Sequence, residues 1–341
     1  MKKTFLSLII LYLLIISISC NKCNKEKSGV PKVEISENDS VKIKIHRYEK
    51  ALFAIDIKSL HSGLKKLLPE YSFFIPDSAL NDSSCMLQMK QYLTDPFIIM
   101  LYDDVLKLYP DVKDLESQLG TALSYFKHYY PEKKTPEVFT CVSGLYYEEP
   151  VKYADSLLII SLDMYMGSKY KYYKEMLMDV PLYVQRRFSR EFILPDCMRA
   201  LAKTLVDNSK ENKQFIDYII YEGKILYFLD AMLPDMQDSL KIYYTKNQMD
   251  WCVKNESNIW SYIIDNKLLY SSNTNVISKF CTDGPFTPVF AKQSPARTGI
   301  WIGWQIVRAY MDNNKKVTLQ QLFENQDAQG ILSKSKYKPK K

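Results

Sequence analysis

Apolar and polar positions divide the chain into three stretches. In the first, Lys2 and Lys3 lead an apolar run from Phe5 to Ile18, interrupted by Ser7, Tyr12 and Ser17, that stops at Ser19-Cys20. A basic start, a short apolar core and a small residue before a cysteine make a secretory signal of the lipoprotein kind. Residues 1–19 are read as the signal and Cys20 as the lipidated residue that becomes the mature N-terminus. A transmembrane anchor is the rival, but roughly 14 residues fall short of the ~20 a spanning helix needs. The second stretch, residues 20–40, is polar and charged with few large apolar side chains to bury, and it reads as a flexible tether.

The third stretch, residues 41–341, is patterned throughout. Val41-Lys-Ile-Lys-Ile45 alternates with the period of a half-buried strand. Phe97, Leu101, Val105 and Leu108 recur at helical steps after Asp95-Pro96, a cap and a first-turn proline. Leu115, Leu119, Leu123 and Phe126 mark a second helix that ends before Pro131. Glu137 to Ser143 and Leu157 to Leu162 are short, rich in β-formers and bounded by Gly144, Pro150 and Asp155, which predicts two strands.

Helical spacing governs the rest. Pro195 and Asp196 open one helix, and Phe215, Ile219, Gly223, Leu226 and Leu229 lie on another that runs to Pro234. Thr245 and Gln248 form a capping box ahead of Trp251, Trp260 and Ile264. Ile300, Trp304, Val307 and Met311 make a stripe with Arg297, Trp301 and Arg308 around it, and Thr318 caps a last turn. The sum is a single α+β domain, predominantly helical, with a small sheet packed on helices and a basic C-terminal tail.

Composition narrows the function classes. The net charge of +7 is spread along the chain, with clusters only in the signal, at Lys22 to Lys27 and at Lys334 to Lys341; those end clusters either favour an anionic membrane surface or, the plainer reading, are solvated termini, and nucleic acid is not implied. The 26 tyrosines against 10 glycines suit packed helices with wet edges or a sugar- or protein-recognition surface. Cys23, Cys85, Cys141, Cys197, Cys252 and Cys281 are irregularly spaced and define no disulfide.

Catalytic material is sparse. His46, His61 and His128 show no metal-ligand spacing, and neither a nucleophile elbow nor a phosphate-cradling loop is present, so no metal and no cofactor are expected. Asp163 at a strand end and Glu222 on a buried helix form a candidate acid and base pair, against the plainer reading of capping or pairing with Arg and Lys.

Longer strings carry a resemblance. Leu157 to Gly167 (LLIISLDMYMG), Tyr221 to Phe228 (YEGKILYF), Tyr244 to Trp251 (YTKNQMDW), Asn255 to Trp260 (NESNIW), Gly284 to Thr287 (GPFT) and Ser294 to Met311 (SPARTGIWIGWQIVRAYM) resemble the gliding motility-associated lipoprotein family GldB of Bacteroidota. That resemblance implies a lipid-anchored envelope protein, periplasm-facing, serving the gliding apparatus and the linked type IX secretion system through protein partners. The family is similar, more distantly, to zinc metallopeptidases in which an H-E-x-x-H helix precedes a helix with an E-G pair. Glu222-Gly223 matches the later pair, whereas Asp196 to Asp207 (DCMRALAKTLVD) has neither histidine nor glutamate. The resemblance therefore implies a degenerate zinc-metallopeptidase-like scaffold that is not an enzyme, with Glu222 as a buried anchor or cleft contact.

Arg297, Trp301, Trp304 and Arg308 are the candidate interface groups, because tryptophan and arginine dominate buried protein contacts. Burial of both tryptophans in the core is the plain alternative. The alternative function is a glycan- or peptide-binding lipoprotein that uses the degenerate cleft.

Overall fold

Four short strands make one mixed sheet in the order β1 (Ile45–Arg47), β2 (Glu137–Cys141), β4 (Leu157–Ser161), β3 (Val151–Ala154). The strands β1, β2 and β4 run parallel, and β3 is antiparallel on the edge. A computed structural model describes residues 30, 33–36, 39–176, 178–206 and 213–339, so the signal, Cys20 and most of the tether lie outside the described residues. Strand β3 was not foreseen. Its turn to β4 is Asp155-Ser156, both left-handed (φ 50° and 63°), the twist a two-residue hairpin requires.

The alternating segment expected as a strand over 41–45 enters the ladder only at Ile45. Ahead of it the chain lies along a helix instead. The Val41 amide donates to Ser124 Oγ at 2.8 Å, the Ile45 amide to Glu116 Oε1 at 2.8 Å, and a Cβ on Gly120 would sit 2.7 Å from the Val41 carbonyl. Side-chain acceptors and a missing side chain thus satisfy a backbone that had no strand beside it.

The sheet separates two apolar clusters. The helices α1 (Tyr48–Phe53), α2 (Leu60–Tyr71), α3 (Asp77–Leu80) and α4 (Ser83–Thr94) bury Leu52, Leu64, Tyr71 and Leu93 with Phe139 of β2. Val138, Leu158 and Ile160 belong to the larger cluster, shared with α5 (Pro96–Leu108) and α6 (Lys113–Tyr129). Asp95 caps α5 as its sequence predicts, accepting from the Phe97 and Ile98 amides.

The remaining helices are α7 (Lys171–Met176), α8 (Leu182–Gln185), α9 (Ile193–Leu205), α10 (Phe215–Met232), α11 (Asp238–Lys241), α12 (Lys246–Asp265), α13 (Thr274–Cys281), α14 (Thr298–Asn313), α15 (Leu319–Glu324) and α16 (Ala328–Ser335). Both foreseen caps, Thr245 with Gln248 and Thr318 with Gln321, are closed capping boxes. Helix α9 starts earlier than expected. A 3-10 turn over Arg190–Phe192 feeds it directly, Pro195 falls within the first turn where it breaks no helical bond, and Asp196 is half-buried.

Helices α10 and α14 cross at the centre of this half. Both are apolar nearly all round, so each is enclosed on every side. They meet backbone to backbone: a Cβ on Gly303 would lie 1.8 Å from the Ile219 carbonyl oxygen, and one on Gly223 would lie 2.5 Å from the Gly303 oxygen. Glycine is required at both positions for close approach.

Several tyrosines are spent on the interior. Tyr109 donates to the Tyr165 carbonyl (2.6 Å), Tyr173 to the Asp163 carbonyl (2.6 Å) and Tyr244 to the Ala296 carbonyl (2.7 Å), so each buried ring places its hydroxyl on a backbone acceptor. No helix among the described residues is long and apolar enough to cross a membrane.

Gly303→Ala is expected to destabilise the protein by about 3 kcal/mol or more through overpacking, whereas Gly284→Ala, whose Cβ would meet nothing closer than 3.7 Å, changes little. Denaturant midpoints by circular dichroism distinguish the two.

Candidate functional site

After α11 the chain turns sharply through Tyr243, which is left-handed (φ 63°) although it is not glycine. Three successive carbonyls on this turn each accept from a different arginine: Lys241 from Arg199 (2.6 Å), Ile242 from Arg297 (3.4 Å) and Tyr243 from Arg186 (2.5 Å). The Tyr243 ring lies against the guanidiniums of Arg187, Arg199 and Arg297 at 4.4, 4.8 and 5.5 Å, a cation–π arrangement. Its hydroxyl donates to Asp196, which also accepts from the Tyr165 hydroxyl at 2.7 Å. Burial pushes the Asp196 carboxyl up, against the pull of the two phenols and of Arg199.

The outer edge of this cluster is open. Asp283 accepts two hydrogen bonds from Arg187 (2.9 and 2.6 Å) and lies 3.5 Å from Arg297. Partial burial raises the Asp283 carboxyl, but Arg187 and Arg297 outweigh it and hold the group below the usual range. Glu222 faces Arg199 at 3.5 Å with a quarter of its side chain exposed. Burial pushes the neighbouring Cys281 thiol up, and the Glu222 charge adds to the shift.

A second cluster is sealed. Asp230, fully buried in α10, accepts from Arg308 Nε (2.7 Å) and Nη2 (2.8 Å), from Trp304 Nε1 (2.9 Å) and from Lys241 Nζ (2.9 Å). Asp238 adds a second carboxylate, 2.7 Å from Arg308 and 3.3 Å from Lys241. Two acids thus face two bases, and the Arg308 guanidinium stacks over the Trp304 ring at 3.7 Å. Burial opposes the Asp230 charge, yet Arg308 and Lys241 overcome it and lower its pKa.

These positions correct the interface expectation. Trp301 is 2 % exposed, Trp304 0 % and Arg308 8 %, so none of them is a surface contact group. The two tryptophans pack edge to face at 6.0 Å, inside the core that α14 shares with α10. Arg297 is equally buried, beneath the Tyr243 turn. Glu222 and Arg297 are therefore brought to one cluster, while Trp304 and Arg308 belong to the other.

The candidate pair of Asp163 and Glu222 is not assembled. Asp163 is fully buried and accepts from the Ser143 and Leu145 amides (2.9 and 2.7 Å) and the Ser143 hydroxyl, which fixes the loop after β2. Glu222 has Arg199 instead. Helix α9 offers Asp196, already bonded to two phenols, buried Cys197, and Arg199 as a positive charge against Glu222; this donor set does not fit a zinc ion. Among the described residues, no three of His, Cys, Asp and Glu converge as a cation-holding group.

Asp230, Lys241, Arg199, Tyr243 and Asp283 were missed. Asp230 alone left a signal, a carboxylate inside the apolar run Ile225 to Leu233 with no polar face to receive it.

Residues 29–339 match the family model described as gliding motility protein GldB, nearly the whole chain. The chain belongs to the GldB family. Membership implies a role in gliding motility, and the match takes in both the sheet half and the helical half, with both charged clusters. No curated protein and no solved structure matches the chain.

For this family member, Asp230→Asn is expected to cost about 3 kcal/mol at neutral pH, because it leaves the two buried cations Arg308 and Lys241 with Asp238 alone as counter-charge. The lowered Asp230 pKa contributes stability that is present above the unfolded value near pH ~4 and lost as pH falls through the folded value. Urea midpoints compared near pH ~7 and pH ~3 should show a smaller acid loss in the variant than in the parent.

Proposed function

We propose that the protein is a lipid-anchored component of the cell envelope, facing the periplasm, that supports the gliding motility machinery and its linked type IX secretion system through contacts rather than catalysis. The observation that carries this reading is the family match over residues 29–339. The signal pattern ending at Cys20 supplies the anchor, and a polar tether separates it from the folded part.

The geometry supports a non-catalytic role. Asp163 holds a loop and Asp196 carries two phenols, so two of the carboxylates that acid–base chemistry would draw on are committed to the fold. Glu222-Gly223 is the remnant of a peptidase-like scaffold in this reading. Gly223 serves the crossing with α14, and Glu222 neutralises Arg199.

Crosslinking the lipidated protein in native membranes, with an unlipidated Cys20→Ala control, should capture known motility or secretion subunits in the lipidated form and lose them in the control. Capture of none, with the protein abundant and folded, would overturn the assembly role. Glu222→Gln is expected to leave gliding intact; loss of gliding at normal protein level would point to chemistry at Glu222.

A further inference from the structure

The two charged clusters differ in balance. Around Asp230 two acids answer two bases, whereas around Tyr243 four guanidiniums (Arg186, Arg187, Arg199 and Arg297) answer three carboxylates (Asp196, Glu222 and Asp283). Arg186 donates to neutral acceptors, the Tyr243 carbonyl and the Gln248 side chain, so no carboxylate neutralises it. A half-buried cation without a counter-ion is costly unless one is recruited.

Unused donors are found at the same place. The Nε–H groups of Arg187 and Arg199 are both buried and without a hydrogen-bond partner, and Arg199 as a whole is only 8 % exposed. Buried donors are nearly always satisfied, and an orphan on a charged group is costlier than one on a neutral group. Both guanidiniums lie against the Tyr243 ring, at 4.4 and 4.8 Å from its centroid, so the two orphans flank one ring.

The cluster reaches solvent at its edge, beside the closed-off orphans. Side-chain exposures of 18 % for Arg187, 25 % for Glu222 and 39 % for Asp283 mark that edge, the mouth of the cluster. Tyr243 and Arg297 are both held left-handed (φ 63° and 62°) in its walls, a conformation that persists in non-glycine residues only where the surroundings impose it. Glu222, 3.5 Å from Arg199, neutralises without making a hydrogen bond, so it occupies the charge but leaves the donors free.

We propose that this mouth is a binding site for an oxyanion, a carboxylate or phosphate group, held by the Nε edges of Arg187 and Arg199 beside the Tyr243 ring. Guanidinium edges suit such groups because they offer paired, fixed donors to two oxygens. Glu222 is then the internal competitor that sets the affinity. The site goes beyond the assembly role and does not depend on it.

The full-length protein in detergent is titrated calorimetrically, at constant ionic strength, with inorganic phosphate and with a tripeptide bearing a free C-terminal carboxylate, its amidated form serving as the blank. Saturable binding of phosphate, of the peptide acid or of both is expected, lost in Arg199→Lys and tightened about tenfold in Glu222→Gln, where the like charge is gone. A gain in affinity cannot come from misfolding. Phosphate alone would identify a phosphorylated ligand, the peptide acid alone a chain terminus. Failure of both to bind the folded protein, or binding that either variant leaves unchanged, overturns the site.

Discussion

The contact on which the helical half depends is the crossing of α10 and α14 at Gly223 and Gly303, where two backbones touch with no side chain between them. Dispersion at such a contact is short-ranged, so the gain exists only if both positions stay glycine. The close approach also fixes what lies on either side. Toward the C-terminal end of α10 it brings Asp230 within hydrogen-bond distance of Trp304 and Arg308. Next to Gly223 it holds Glu222 at the mouth of the Tyr243 cluster.

Two solutions to buried charge therefore flank one crossing. The Asp230 cluster is closed, balanced and multiply hydrogen-bonded, which is the condition under which interior ions are tolerated. Its Lys241 connects it to the other solution, because the Lys241 carbonyl is the first of the three that the arginines grip. The Tyr243 turn is thus tied at one end to a sealed ion cluster and at the other to an open one with surplus cations.

What the sequence disclosed was local. The caps at Asp95, Thr245 and Thr318 were legible because each is written within three residues, and β2 and β4 were legible from short runs of β-formers. The segment at Val41 to Ile45 showed the right period, but whether an extended chain pairs with a strand or lies on a helix is decided by Gly120, Ser124 and Glu116, some 70 to 80 positions away. Strand β3 was hidden because Asp155-Ser156 is a left-handed pair without glycine. Trp301 and Trp304 carried the composition of an interface as well as the spacing of a core stripe, and the partner helix decides for the core. Glu222 was found through its neighbour glycine, yet the groups that give it meaning, Arg199, Tyr243 and Asp283, lie on three other segments that no spacing rule joins.

Native-state hydrogen exchange of the full-length protein tests the central role of the crossing. If α10 and α14 are the last structure to open, amides near Gly223 and Gly303 exchange only through global unfolding, with protection matching the whole stability, while α1 to α4 open earlier. Exchange of α10 and α14 through a sub-global opening that leaves the sheet and α1 to α4 protected would contradict the account.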